Sequence, residues 1–180
     1  MNRDERTSQR RHIVDACIKV ASNKGYSDAV GVLRGTLFLA SEPMSMDELV
    51  AETGYSKSTV SANMSLLENL GLARRVVIPG DKRYHYSPVT DPDSLKKAML
   101  INVRNEILLL MAALDKTEKD IERDVEKPIG TDSSSKAVLE KISRIRQFYA
   151  QTDRLLDLVS QYTTEELIAL LEKNGNDRNI

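Results

Sequence analysis

Between Ser56 and Ser65 the chain carries five hydroxyl groups and one ammonium: Ser56-Lys57-Ser58-Thr59, then Ser61 and Ser65. At helical spacing Val60, Met64 and Leu67 fall on one side, and Ser58, Ala62 and Ser65 on the other, with Ser61 at the edge. A face that is small, polar and without carboxylates can lie against a polyanion, its hydroxyls reaching phosphates or base edges. Free amides at the helix start, beside Ser56 and Lys57, favour a phosphate. Further on, Lys82 and Arg83 stand at a turn tip, and Arg74 and Arg75 open the segment that leads to it. Residues 55–90 hold five basic and two acidic side chains, although the whole chain has a net charge of −1.

Other chemistry finds little support. There is no Gly-rich phosphate loop and no nucleophile elbow, and the acids are scattered along helical surfaces, so an enzyme is not expected. One cysteine and two histidines, His12 and His85, exclude a disulfide framework and argue against a zinc cage, so neither metal nor cofactor is expected. Cys17 keeps company with Ile13, Val14, Ile18 and Ala21, which suggests a buried, inert thiol; a redox-sensing role is the alternative. Tyr84 and Tyr86 share a strand face and read as hairpin core, with His85 on the other side and exposed. Asn63, beside the buried stripe, suits a structural hydrogen bond.

The elements that must position these groups are mostly helical. Gly, Pro and aromatic residues are few, and Trp is absent. A first helix is predicted over about 4–24, ended by Gly25. A second, about 27–40, has Gly31 and Gly35 four apart on one side, spaced to admit a close neighbour. Ser45-Met46-Asp47-Glu48 is a capping box opening a short helix that stops at Gly54. Ser56 caps the next helix, which Gly71 closes. Segments 74–78 and 83–86, around Pro79-Gly80-Asp81-Lys82, form a hairpin. A helix, a tight glycine turn, a second helix and a hairpin make a helix-turn-helix unit with a wing.

After Pro88 and Pro92 comes a long helix, about 93–126, with Met99, Val103, Ile107, Leu110, Leu114, Thr117, Ile121 and Val125 in steps of three and four. A second follows the loop 127–135, with Val138, Ile142, Ile145, Tyr149, Thr152, Leu156 and Val159 as its seam. Thr163-Thr164-Glu165-Glu166 caps a last helix ending before Asn174-Gly175. So much apolar stripe exceeds what one hairpin can cover, and a homodimer is the expectation. The organisation expected is residues 1–25 as an N-terminal helix and candidate part of the dimer interface, 26–90 as the winged helix-turn-helix domain, and 91–180 as a helical dimerisation and effector region. The longest apolar run, 107–114, is too short to span a membrane. The polar opening MNRDERTSQRRH has no secretory core, so a cytoplasmic protein is expected.

The segment Met44-Ser45-Met46-Asp47-Glu48-Leu49, then Gly54-Tyr55-Ser56-Lys57-Ser58-Thr59-Val60-Ser61, and on through Leu66-Leu67-Glu68-Asn69-Leu70-Gly71-Leu72-Ala73-Arg74-Arg75-Val76, resembles the GbsR family of winged helix-turn-helix regulators, a branch close to MarR. The resemblance includes Gly31-Val32-Leu33-Arg34-Gly35-Thr36-Leu37-Phe38-Leu39 and covers about residues 10–90. It implies a homodimeric, sequence-specific transcription regulator, often a repressor, that binds double-stranded DNA through Ser56, Lys57, Ser58, Thr59, Ser61, Lys82 and Arg83. The residues themselves add Ser45, Ala62, Ser65 and Arg75 to this set. A small-molecule effector would draw on Phe148, Tyr149 and Tyr162. The rival reading is a winged-helix adaptor for another protein, which calls for an apolar outer face that Ser58, Ala62 and Ser65 do not supply.

Overall fold

Two glycines decide how the first two helices meet. A computed structural model describes residues 3–125 and 133–176. Helix α1 spans Arg3–Asn23 and α2 spans Asp28–Phe38. A Cβ on Gly31 would stand 2.4 Å from Ile18 Cα, and one on Gly35 would stand 2.8 Å from Val14 Cα. The two backbones therefore touch where side chains are missing, as the four-residue glycine spacing suggests. Cys17 is buried at this crossing, and burial pushes its thiol pKa up against the opposing pull of Arg34.

The chain forms two compact units, Met1–Ala98 and Met99–Ile180. In the first, β1 (Met44–Ser45) leads into α3 (Met46–Thr53), followed by α4 (Lys57–Asn69), β2 (Ala73–Val76) and β3 (His85–Pro88). The core gathers Leu33 and Leu37 from α2, Leu49 from α3, and Val60, Met64 and Leu67 from α4, with Ala21, Ala73 and Tyr86 around them. Steps of four and three along α4 put its three core residues on one side, which is the amphipathic pattern made physical. Leu66, off that stripe, packs against the edge of the same core.

The three strands form an antiparallel sheet in the order β1-β3-β2. Met44 pairs with Tyr86 and Ser45 with His85; Arg75 pairs with Tyr86 and Val76 with His85. The ladder begins at Ala73 and stops at Val76, so Val77 and Ile78, expected in the strand, belong to the wing loop. Strand β3 runs two residues past the expected end, to Pro88. Strand β1 was not expected, since two residues carry no readable alternation.

In the second unit, α5 (Pro92–Val125) continues from the first; α6 (Ser133–Ser160) and α7 (Thr164–Asn176) follow. At ~1.5 Å per residue α5 is roughly 50 Å long. Arg104 on α5 meets Asp153, at 2.8 Å, and Asp157 on α6; Arg146 on α6 meets Asp115, at 2.8 Å, and Glu118 on α5. Low numbers facing high ones make the pair antiparallel, with Ile107 and Ile142 buried. Met99, Val103, Leu110 and Val138, placed on the seams by their spacing, are exposed within the single chain. Thr163 and Glu166 form the expected reciprocal cap: the Thr163 amide donates to Glu166 at 2.8 Å, and the Glu166 amide donates to Thr163 Oγ1 at 3.2 Å. Helix α7 runs through Asn176, so Asn174-Gly175 does not end it.

Gly31→Ala would drive a methyl group into the α1 backbone. The overpacking cost of about 1–3 kcal/mol is expected to exceed the ~1 kcal/mol gained in helix propensity, lowering the midpoint of chemical denaturation.

Candidate nucleic-acid interface

Helices α3 and α4 are set by their ends. Ser45 Oγ accepts from the Glu48 amide at 3.3 Å, while the Ser45 amide donates to Glu48 Oε2 at 2.7 Å, completing the capping box. The Ser45 hydroxyl also donates to Glu48 Oε2 at 2.6 Å, and this bond first, then the one from the Ser45 amide, holds the Glu48 carboxyl below its usual pKa. Gly54 ends α3 in the left-handed region at φ 71°, its amide donating to Val50 O at 2.9 Å. Ser56 then caps α4, accepting from the Thr59 amide at 3.2 Å. Its hydroxyl also lies 2.9 Å from Ser58 Oγ and 2.8 Å from Thr59 Oγ1, so three hydroxyls cluster at the helix start.

With Val60, Met64 and Leu67 buried, Lys57, Ser58, Ser61, Ala62 and Ser65 face solvent and Thr59 is half-buried. Lys57 pairs with Asp47 at 3.0 Å, an exposed contact that high dielectric and salt weaken. Asn63 makes the structural bonds its position suggests: its amide donates to Thr59 O at 2.7 Å, and its oxygen accepts from Ser27 Oγ at 3.1 Å.

The wing is ordered by charge. Asp81 accepts from the Arg83 amide at 2.9 Å and pairs with its guanidinium at 2.6 Å. Arg83 thereby holds the Asp81 carboxyl far below the usual range, by side-chain and then backbone hydrogen bonds. Lys82 and Arg83 are both exposed. Arg75 reaches instead to Glu68 on α4, at 2.9 Å.

Three expectations need correction. Ser45, counted among the contact residues, is 1% exposed and its hydroxyl is committed to the cap, so its side chain is withdrawn from the surface. His85 is buried rather than exposed, with Nδ1 3.2 Å from Arg83 O and Nε2 3.6 Å from Asp81. Tyr84 and Tyr86 do not share a buried face: Tyr86 lies in the core, and Tyr84, one residue before β3, is 62% exposed. Sequence reasoning also missed Glu68 as a partner of Arg75; their seven-residue separation across a turn carries no local signature.

The residues considered for an effector lie apart from this surface in sequence. Phe148 is exposed and meets Tyr149 edge-on, with ring centroids 5.2 Å apart; Tyr162 follows the end of α6. A groove of about 500 Å³ in the first unit is lined by other residues, among them Val14, Leu39, Met44, Glu48 and Glu52. Among the described residues no group of three His, Cys, Asp or Glu could hold a metal ion, and no helix is long and apolar enough to cross a membrane.

Comparison with known proteins fits this architecture. The sequence profile of the MarR family matches residues 37–83, from the end of α2 through α3, α4 and the wing to Arg83. No curated protein sequence matches the chain. A solved structure described as a transcriptional regulator is similar over 85% of this chain and 96% of its own, at a TM-score of 0.65 and 17% identity. MepR, a transcription regulator of the Staphylococcus aureus multidrug efflux pump MepA, aligns over 99% of this chain and 98% of its own, at a TM-score of 0.35 and 14% identity. A point mutant of S. aureus MepR bound to an oligodeoxyribonucleotide aligns over 99% and 97%, at a TM-score of 0.36 and 14% identity. The fold is thus mainly helical with a small antiparallel sheet, a winged helix-turn-helix followed by long helices.

The cap makes a prediction that separates structure from contact. Ser45→Ala is expected to cost about 1 kcal/mol of stability, with no change in the salt dependence of any polyanion binding. Because the folded-state pKa of Glu48 is depressed, its contribution is complete above the ordinary glutamate value and is lost as pH falls through the depressed one. Denaturation of wild type and Glu48→Gln between pH 7 and 3 is expected to show a stability difference that closes toward the acid end.

Proposed function

We propose that this chain is a sequence-specific transcription regulator of the GbsR branch that binds double-stranded DNA as a homodimer and acts by repression. The observation that carries this reading is the outer face of α4. Ser58, Ser61, Ala62 and Ser65 are exposed together, no carboxylate stands among them, and Lys57 lies at one end. Small hydroxylated side chains on a helix of thirteen residues suit a major groove, where Ser58, Ser61 and Ser65 meet base edges and Ser56, Lys57 and Thr59 meet phosphate. The wing, with Lys82 and Arg83 at its exposed turn, lies along the neighbouring minor groove or its phosphates.

The homodimer is supported by apolar surface in the second unit. Leu108, Leu109, Phe148, Leu155 and Leu171 are all more than half exposed on the single chain. Apolar side chains in such number on packed helices mark a surface that a partner covers. Two copies related by a twofold axis present two α4 helices to half-sites roughly 34 Å apart or a small multiple of it. Occupying a promoter in this way blocks transcription, which is the sense in which repression is proposed. A small molecule held near Phe148, Tyr149 and Tyr162 would act by changing the half-site separation.

Selection of bound duplexes from a random pool tests the reading, followed by gel shifts at two salt concentrations. A palindromic product is expected, with affinity falling steeply as salt rises because phosphate contacts release counterions. Lys82→Ala is expected to weaken binding to all sequences alike and reduce the salt slope by about one, whereas Ser58→Ala shifts the preferred sequence. Absence of duplex binding would favour the protein adaptor, and the reverse mutant pattern would overturn the role of each residue.

A further inference from the structure

The wing is joined to α4 by an ion pair that stays partly exposed. Arg75 Nε lies 2.9 Å from Glu68 Oε1, and Nη2 donates to Glu68 Oε2 at 2.9 Å, a two-point fork. Such a fork fixes direction as well as distance, which the point charge of a lysine does not. The same guanidinium stands 5.0 Å from the ring centroid of Tyr84 and 5.9 Å from that of Tyr86, within reach of both π-faces. Tyr86 is buried in the core and opposite Arg75 in the ladder, while Tyr84 is exposed next to Arg83. One side chain therefore touches the last turns of α4, the core, and the exposed root of the wing. Its charge is matched by Glu68, the one acid within α4.

Building on the DNA-binding reading above, we propose that Arg75 and Glu68 are positioning residues: they brace the wing against α4 so that both engage DNA as one rigid body. Arg75 is not itself a phosphate contact. An arginine spent on phosphate adds about one unit to the slope of log K against log salt; a braced one adds none. Loss of the brace acts through preorganisation, since a wing that must be ordered on binding gives up affinity.

The test uses the full chain and four variants, Arg75→Ala, Arg75→Lys, Glu68→Gln and the charge swap Glu68→Arg/Arg75→Glu. Amide hydrogen exchange at residues 85–87 is read in the free protein, and affinity for the selected duplex is titrated over salt. Arg75→Ala, Arg75→Lys and Glu68→Gln are expected to speed exchange in the wing by about tenfold and to weaken duplex binding by about tenfold. The salt slope stays unchanged, the cost of adding Lys82→Ala shrinks in the Arg75→Ala background, and the swap restores most of the loss. A slope lowered by about one in Arg75→Ala would make Arg75 a direct phosphate contact and overturn the brace. Unchanged exchange in Arg75→Lys and Glu68→Gln would overturn it as well. If the wild-type chain binds no duplex, it is the DNA reading that fails, and exchange in the free protein still decides the brace.

Discussion

Burial of Val60, Met64 and Leu67 is the constraint from which the surface of the first unit follows. These side chains enter the core formed by Leu33, Leu37 and Leu49, and each fully buried residue of this kind contributes about 1.5–3 kcal/mol relative to exposure. A rotation of α4 that brought the serines inward would expose all three and bury hydroxyls without partners, so the helix has one acceptable azimuth. The outward display of Ser58, Ser61 and Ser65 is a by-product of that choice. The same core accepts Tyr86 from β3, which ties the sheet, and with it the wing, to the helix that fixes the azimuth.

Electrostatics organises the rim of this surface. Asp47, Glu68 and Asp81 each hold a basic partner, Lys57, Arg75 and Arg83. The three pairs differ in kind. Lys57 and Asp47 make a single exposed contact that a phosphate can displace at small cost. Arg83 is fixed by its own backbone turn on Asp81, so its guanidinium is ordered before any ligand arrives. Arg75 is forked and flanked by aromatic rings. A cluster of positive charge read along the chain therefore resolves into an exchangeable cation, an ordered one and a surface tie to α4.

What was legible in the sequence is what local rules encode. The capping boxes at Ser45 and Thr163, the left-handed turn at Gly54, the Ser56 cap and the glycine contact of α2 all rest on residues within one or two turns of each other, or on a spacing the helix itself imposes. The stripe of α4 and the winged order of elements follow from the same periodicities. The remainder depends on partners distant along the chain. Ser45 is buried because β1 pairs with β3 forty residues later, and two residues of strand leave no pattern. His85 is buried through that same pairing and the Asp81 turn, although it sits between two tyrosines in an alternating run. Arg75 read as a surface cation because nothing local announces Glu68. In the candidate site, then, helix-borne residues were placed by pattern, and strand-borne ones needed the sheet.

The two arginines that link α5 and α6 bear on which alignment that hairpin adopts. A heptad stripe is nearly indifferent to sliding by seven residues, since one aliphatic layer replaces another. Charge breaks the degeneracy. Slipping the antiparallel pair one heptad in one direction sets Arg104 across from Arg146 and leaves Arg146 against Leu108 and Met111; slipping it the other way carries Arg104 past its aspartates to Ser160 and Thr164. Each arginine spans two carboxylates about a turn apart, so only one alignment satisfies all four acids. The oily seam supplies cohesion without address, and two cations set along it, each forked between a pair of acids, supply the address.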